Sequence, residues 1–142
     1  MPTRATVHSS VTEEPISVLG AAELIASSSA GAVVTFSGDV RDHDHGRDVA
    51  RLDYEGHPSA AEVLAEVARE VADRHDVIAL AVMHRVGPLV IGDCALAAAV
   101  SAAHRGAAFA ACADLVDTTK ARLPVWKHQV FTDGTDEWVN CA

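Results

Sequence analysis

Apolar residues at Ala60, Val63, Leu64, Val67, Ala68 and Val71 recur at the period of a helix and leave charged residues between them. Ser59 and Glu62 have the spacing of a capping box at its start, and Glu70 and Arg74 form an i,i+4 pair on its wet face. A second long helix is predicted from about His104 to Arg122, with Phe109, Cys112, Leu115, Val116 and Thr119 on its buried side. Leu123–Pro124 ends it, because proline restricts the residue before it and cannot continue the hydrogen-bond ladder. "LGAAELIASSSAG" (19–31) reads as a shorter helix closed by Gly31.

Between the helices the pattern changes to strands. "AVVTFSGDVR" (32–41), "VARLDYEGH" (49–57), "VIALAVMHRV" (77–86), "CALAAAVSA" (94–102) and "VWKHQVF" (125–131) are apolar or alternating and rich in β-branched residues. In the last of them Val125, Lys127, Gln129 and Phe131 share one face, and Trp126, His128 and Val130 the other. "DHDHGRD" (42–48) reads as a polar loop, Gly87, Pro88 and Gly92 as a turn, and residues 1–16 as an edge strand or loose arm. Strands interleaved with helices, some of them in hairpins, predict an α+β fold. A chain of 142 residues fits one domain, 1–142.

Charge narrows the function. The formal net charge is −9, with only eleven Lys and Arg. Such a chain lacks the basic face that nucleic-acid binding needs, so a basic pocket must be local and suited to a small anion. No apolar run approaches the ~20 residues of a membrane span, and "MPTRATVHSS" lacks the apolar centre of a secretory signal. The expectation is a soluble cytoplasmic protein. Cys94, Cys112 and Cys141 are odd in number and form no C-x-x-C pair; each reads as a small core hydrophobe.

Three of the eleven cations fall in "TTKARLPVWKHQ" (118–129). Lys120 belongs to the last turn of a helix, where the dipole favours a cation by about 0.3–1 kcal/mol. Lys127 lies on the strand past the proline turn. The reversal can bring both to one end of the domain, where two ammonium groups depress each other's pKa. A lysine tuned toward ~7–8 serves as a nucleophile or acid–base group. A solvated helix end with an exposed strand lysine is the plainer reading of the same spacing. In "AHRGAAF" (103–109), His104 and Arg105 open a helix against its dipole, which suggests a phosphate or carboxylate site at free backbone N–H groups, or else a solvent-facing pair. Arg41 follows a strand into a polar loop, a usual place for functional residues. His43 and His45 alternate with Asp42 and Asp44, but no third anchored ligand completes a metal site. "HRVGPLVIGD" (84–93) reads by itself as a structural hairpin.

The order F-x-G-x-V-R (Phe36 to Arg41), H-R-x-G-x-L-x-x-G-D (His84 to Asp93), A-H-R-x-x-A-F (Ala103 to Phe109) and K-x-R-x-P-x-W-K (Lys120 to Lys127) resembles the large, catalytic subunit family of molybdopterin synthase. The similarity covers about residues 31 to 128. It implies an α/β hammerhead-type fold with an additional antiparallel β-subdomain. It implies an enzyme, a sulfurtransferase of molybdenum cofactor biosynthesis that converts cyclic pyranopterin monophosphate to molybdopterin by inserting two dithiolene sulfurs. The sulfur would arrive as a thiocarboxylate on the C-terminus of a small ubiquitin-like subunit, so no cofactor is implied. The assembly would be a heterotetramer with a homodimer of large subunits at its core. By the same resemblance Lys120 is the principal catalytic lysine and Lys127 its support. Arg41, His104 and Arg105 bind the pterin phosphate, with His104 and Arg105 offered across the dimer, and Phe36 lines the pocket. Arg122 and Trp126 fall to packing or the tail channel. Residues 129–142 contain no Lys or Arg, a departure from relatives with a C-terminal cation, and 42–48 has the look of a mobile flap.

Two other classes fit parts of the pattern. A non-catalytic module that grips a ubiquitin-like tail would use the same pocket without turnover. A metal-dependent hydrolase would use the His–Asp stretch and carry a divalent metal.

Overall fold

The "CALAAAVSA" strand is buried on both sides, and the architecture follows from what covers each side. The computed structural model describes residues 4–140. In chain order it comprises β1 (Thr6–Thr12), α1 (Val18–Leu24), β2 (Ala32–Asp39), β3 (His43–Asp44), β4 (Arg47–Gly56), α2 (Ala60–Arg74) and β5 (Ala79–Arg85). There follow β6 (Gly87–Leu89), β7 (Cys94–Ala102), α3 (Arg105–Arg122), β8 (Val125–Phe131) and β9 (Asp136–Asn140). One sheet has the order β1-β5-β7-β2, parallel only between β1 and β5. On one face Leu80, Val82, Leu96, Ala98 and Val100 pack with Leu64, Val67 and Val71 of α2 and Leu115 of α3. On the other, Ala79, Ala81, Ala97 and Ala99 meet Ala21 and Ile25 of α1 and its flank. Alternation along β5 and β7 therefore sorts branched side chains to the thick α2/α3 layer and alanines to the closely approaching α1. Burying each Leu or Val of the thick layer contributes roughly 1.5–3 kcal/mol.

The alanines of β7 are thus consumed inside the chain. They leave no free surface for another subunit: residues 95–102 are all buried.

The second sheet has the order β3-β4-β8-β9, with β6 pairing with β4. Here the structure corrects the polar-loop and mobile-flap reading of 42–48. His43 pairs with Asp48 and Asp44 with Arg47, across a two-residue turn in which His45 and Gly46 have φ of 50° and 76°. Two successive positive φ values match the right-handed twist of the flanking strands, the geometry of a tight hairpin. Residues 87–92 likewise contain a short strand, β6, besides the expected turn, and β9 was not foreseen.

Other boundaries shift for local reasons. α1 ends at Leu24 rather than at Gly31, because the serines that follow take up backbone groups themselves: Ser27 Oγ accepts from Ser29 N at 3.1 Å. Gly31 instead precedes β2, where any Cβ would strike the carbonyl of Ala103. Ser59 caps no N–H of α2; its hydroxyl bonds His57 Nδ1 at 2.8 Å, so the capping box is not formed. On α3 the buried stripe is Ala108, Ala111, Cys112, Leu115, Val116 and Thr119, and Phe109, expected inside, is exposed. Ala108 holds the buried position one residue earlier, which turns Phe109 about 100° toward the edge strand β2. No helix among the described residues is long and apolar enough to cross a membrane.

Candidate active site

α3 and β8 are joined by Leu123 and Pro124 alone, and the reversal sets the end of the helix beside the start of the strand. Leu123 closes the helix with its N–H on Thr119 O at 2.9 Å, in extended conformation as the following proline requires. Lys120 from the last turn of α3 and Lys127 from β8 line one cavity of about 420 Å³, and Arg41, just past β2, lines it as well. Pairing of β8 with β4 puts Lys127 opposite Tyr54 and Gln129 opposite Leu52, and all four side chains face this cavity. Lys120, Lys127 and Arg41 thus form the local cationic pocket that the net charge of −9 called for.

The cavity also contains a carboxylate. Asp44 accepts from Gln129 Nε2 at 2.7 Å and from Arg41 Nη2 at 3.2 Å. Its pKa is lowered first by the Gln129 hydrogen bond, against the effect of burial, and further by the charges of His45, Lys127 and Arg41. Gln129 is itself buried and donates also to Glu137 of β9 at 3.0 Å. The β3–β4 hairpin is thereby pinned to β8, and its acidic side chain is held among the cations.

His84, near the end of β5, forms part of the wall. It is fully buried, and Tyr54 meets it edge-on at 4.8 Å between ring centroids. Its Nδ1 lies 2.8 Å from the carbonyl oxygen of Arg85, which can only accept, so Nδ1 carries the hydrogen. Burial pushes its pKa down to about 4, opposed by the Arg85 hydrogen bond and helped by the charge of Lys120, so the ring is neutral near pH 7.

The other expected site residues lie elsewhere. His104 and Arg105 are exposed at the start of α3, and Arg105 is fifteen residues, about 22 Å of helix, from Lys120. Within one chain they do not reach the cavity. Phe36 does not line it either: with Phe109, Cys112 and Val116 it forms a separate apolar groove between β2 and α3, although its ring lies over Gly38 of the cavity wall. Arg122 is drawn to Glu70 and to Glu66 (3.8 Å), which ties α3 to α2 and leaves it out of the pocket. Trp126 borders a different groove beside His57.

Cys94 and Cys112 have pKa values raised chiefly by burial, the opposite of an activated thiolate; Cys141 lies outside the described residues. Among the described residues no group of three or more His, Cys, Asp or Glu side chains is arranged around a metal position.

His84, Tyr54 and Gln129 were not singled out from sequence as site residues, and Asp44 was weighed only within a metal-binding stretch. A signal existed for His84: it shares strand parity with Leu80 and Val82, so an imidazole falls on an otherwise apolar face. For Asp44 no such signal exists, because its burial depends on the unforeseen hairpin.

The MoaE protein family model matches residues 11–122. The molybdopterin synthase catalytic subunit of Pyrococcus abyssi is 39% identical over 89% of this chain and 85% of its own length. Among solved structures, molybdopterin synthase from Staphylococcus aureus superposes with a TM-score of 0.82 at 30% identity, covering 99% of both chains. A chain from the complex of subunits 1 and 2 of the Helicobacter pylori molybdopterin-converting factor has the same fold, with a TM-score of 0.68 at 15% identity over 97% of this chain and 90% of that one.

Proposed function

Because this chain belongs to the MoaE protein family of molybdopterin synthase catalytic subunits, we propose that its cationic cavity is where cyclic pyranopterin monophosphate receives two dithiolene sulfurs to become molybdopterin. The observation that carries the reading is the convergence of Lys120, Lys127 and Arg41 from three separate elements on one cavity in an acidic chain. The substrate phosphate is an anion, and so is the thiocarboxylate that delivers sulfur from the C-terminus of a small ubiquitin-like subunit. A cavity of this charge attracts both and stabilises negative charge developing between them. Arg41 binds phosphate through its guanidinium, which suits that anion's geometry. Lys120 moves the proton during sulfur transfer, and Lys127 sustains the local positive field. Sulfur comes from the partner, so the reading invokes no cofactor and no metal.

His104 and Arg105 serve the phosphate of a second copy's cavity, which makes a homodimer the core, with a small subunit at each end. The work is placed in the cytoplasm, where a carrier thiocarboxylate is kept from oxidation.

The test is to combine the protein with a thiocarboxylated small subunit and cyclic pyranopterin monophosphate and to assay dithiolene product. General acid–base groups contribute about 10²–10⁴-fold. Lys120→Ala is expected to lose turnover of that order while it remains folded and still binds the small subunit. Lys127→Ala loses less, and the double variant is little worse than Lys120→Ala, because the two act as a unit. Near-normal turnover by folded Lys120→Ala would overturn the assignment. Absence of product from the wild type would favour a module that only grips the tail.

A further inference from the structure

We propose that Tyr54 is the positioning residue for Lys120: its hydroxyl oxygen, fixed in the cavity wall, accepts a hydrogen from the Lys120 amine and keeps that amine directed at the substrate. The proposal rests on the reading of Lys120 as the group that moves the proton.

The first ground is what Lys120 needs. The residue is exposed, and it reaches the cavity from the last turn of α3 on a flexible four-carbon stem. Such a stem samples many rotamers and delivers its amine to one place only when a partner holds it. Lys120 and Tyr54 are both engaged in interactions in the folded chain.

The second ground is which acceptor the cavity offers. Behind burial and the Arg85 hydrogen bond, the Lys120 charge is felt at the His84 ring, so the amine lies near that ring. His84 Nε2 nonetheless takes no hydrogen from it or from any other described residue. Asp44 is held by Gln129 first, and the charges that act on it are those of His45, Lys127 and Arg41. Tyr54 lines the same cavity and touches the His84 ring edge-on at 4.8 Å. Its phenol oxygen is the acceptor beside the ring that feels the lysine.

The third ground is the hydroxyl itself. Tyr54 is 8% exposed and its ring belongs to the core, so phenylalanine would fill the place and keep the edge-on contact. The hydroxyl puts a polar group into a nearly closed wall, which costs stability unless it is bonded. Among the described residues the buried side-chain atoms left without a partner are His84 Nε2 and Thr119 Oγ1, and the Tyr54 hydroxyl is not one of them. The ring is anchored as a fixed acceptor must be. Its backbone is paired on both sides, with Gly87 and with Lys127, and it abuts a His84 ring tied through Nδ1 to the Arg85 carbonyl. An ammonium group has three hydrogens; one given to the phenol oxygen leaves two for the substrate. Once a proton has left, the amine still has a hydrogen for the same oxygen, so it is held in both states. Tyr54 gains and loses no proton in this role. Positioning of this kind acts on turnover more than on substrate affinity.

Two measurements test it. The first needs no substrate and uses the fact that Lys120 and Lys127 are the only two lysines in the chain. Their Nζ resonances, read through the adjacent Cε at neutral pH and assigned with Lys127→Arg, are compared between wild type and Tyr54→Phe. The expected result is a shift of the Lys120 Nζ resonance larger than that of Lys127. A Lys120 resonance indifferent to the hydroxyl, or a larger shift at Lys127, overturns the proposal. The second is kinetic. Tyr54→Phe should lower kcat about 10-fold with the KM for the pterin within about twofold. Because the hydroxyl acts through Lys120, adding Tyr54→Phe to Lys120→Ala should cost little further turnover. A raised KM with unchanged kcat would put the hydroxyl on the substrate, unchanged kinetics would reduce it to packing, and losses that multiply in the double variant would separate it from Lys120; each overturns the proposal. A wild type that yields no product while its Lys120 resonance still answers to Tyr54→Phe sinks the functional reading and upholds the contact.

Discussion

Asp44 sets a negative charge among three cations, and at the scale of single residues this is the feature that decides how strongly the cavity holds an anion. Its carboxylate is kept ionised by Gln129 first and by the neighbouring charges next, and it occupies Arg41 through an ion pair of 3.2 Å. On the proposed reading, a substrate phosphate would share Arg41 with it. Asp44→Asn preserves an oxygen for Gln129 and removes the charge. Affinity for the pterin monophosphate should therefore rise about threefold to tenfold and become more salt-sensitive, as titration of the pterin at two ionic strengths would measure. Unchanged affinity would mean that Asp44 and the phosphate do not compete. Lys120, Lys127 and Arg41 were legible in the sequence because each stands at a recognisable end: a last helical turn, a strand after a proline, a strand leaving for a loop. Asp44 and His84 were not. Their importance comes from burial and from one specific partner each: Gln129 is 85 positions away from Asp44, and although Arg85 directly follows His84, the burial that gives its carbonyl contact weight is set by the sheet around it.

Among elements, the packing of α2 on α3 fixes where the Lys120 end of α3 sits, and Asp114 is the polar clasp between them. It accepts from Arg74 at 3.0 and 3.1 Å, from His75 Nε2 at 2.8 Å and from Thr118 Oγ1 at 2.8 Å. The expected pair with Glu70 along its own helix is present at 3.9 Å, and the rest of the guanidinium reaches across to α3. The Arg74 hydrogen bonds, ahead of those from His75 and Thr118, hold the Asp114 pKa at about 2. A carboxyl more acidic in the folded chain than in the unfolded one stabilises the fold when ionised. Its contribution is complete above the unfolded value of ~3.9 and is lost as pH falls from there through about 2. With allowance for solvent at a partly exposed site the contribution is about 1–2 kcal/mol. Urea unfolding followed from pH 6 to pH 2 should show this loss in wild type and a correspondingly flatter curve in Asp114→Asn; parallel curves would count against it. Elements with long periodic stretches, α2, α3, β5 and β7, were legible because their burial pattern repeats. The β3–β4 hairpin was hidden because His-Gly is not among the dipeptides that announce such a turn, and a histidine at φ 50° is uncommon.

For the whole molecule, the length of α3 settles which residues one cavity can gather from one chain. Lys120 lies at one end and His104 and Arg105 at the other, about 22 Å apart, while a pterin is far shorter than that. The family resemblance gathered all three into one site with His104 and Arg105 offered across the dimer, an arrangement that motif order by itself does not give. If His104 and Arg105 contribute to catalysis, a second copy must carry them, and a two-fold dimer supplies each cavity with the partner's helix start. Two consequences separate this arrangement from a monomeric site. Sedimentation at micromolar concentration should give a dimer. Lys120→Ala and Arg105→Ala, assayed apart at low pterin concentration, should each be strongly impaired, Arg105→Ala by at least about tenfold from the loss of a charge-assisted phosphate contact. When equal amounts are mixed and allowed to exchange subunits, half of the dimers contain one of each variant. Each such dimer has one cavity with both defects and one with neither. Activity should then climb to about a quarter of wild type, well above the mean of the two variants alone. Activity that stays at that mean, or a protein that sediments as a monomer, would take His104 and Arg105 out of the site and leave Lys120, Lys127 and Arg41 to bind the phosphate unaided.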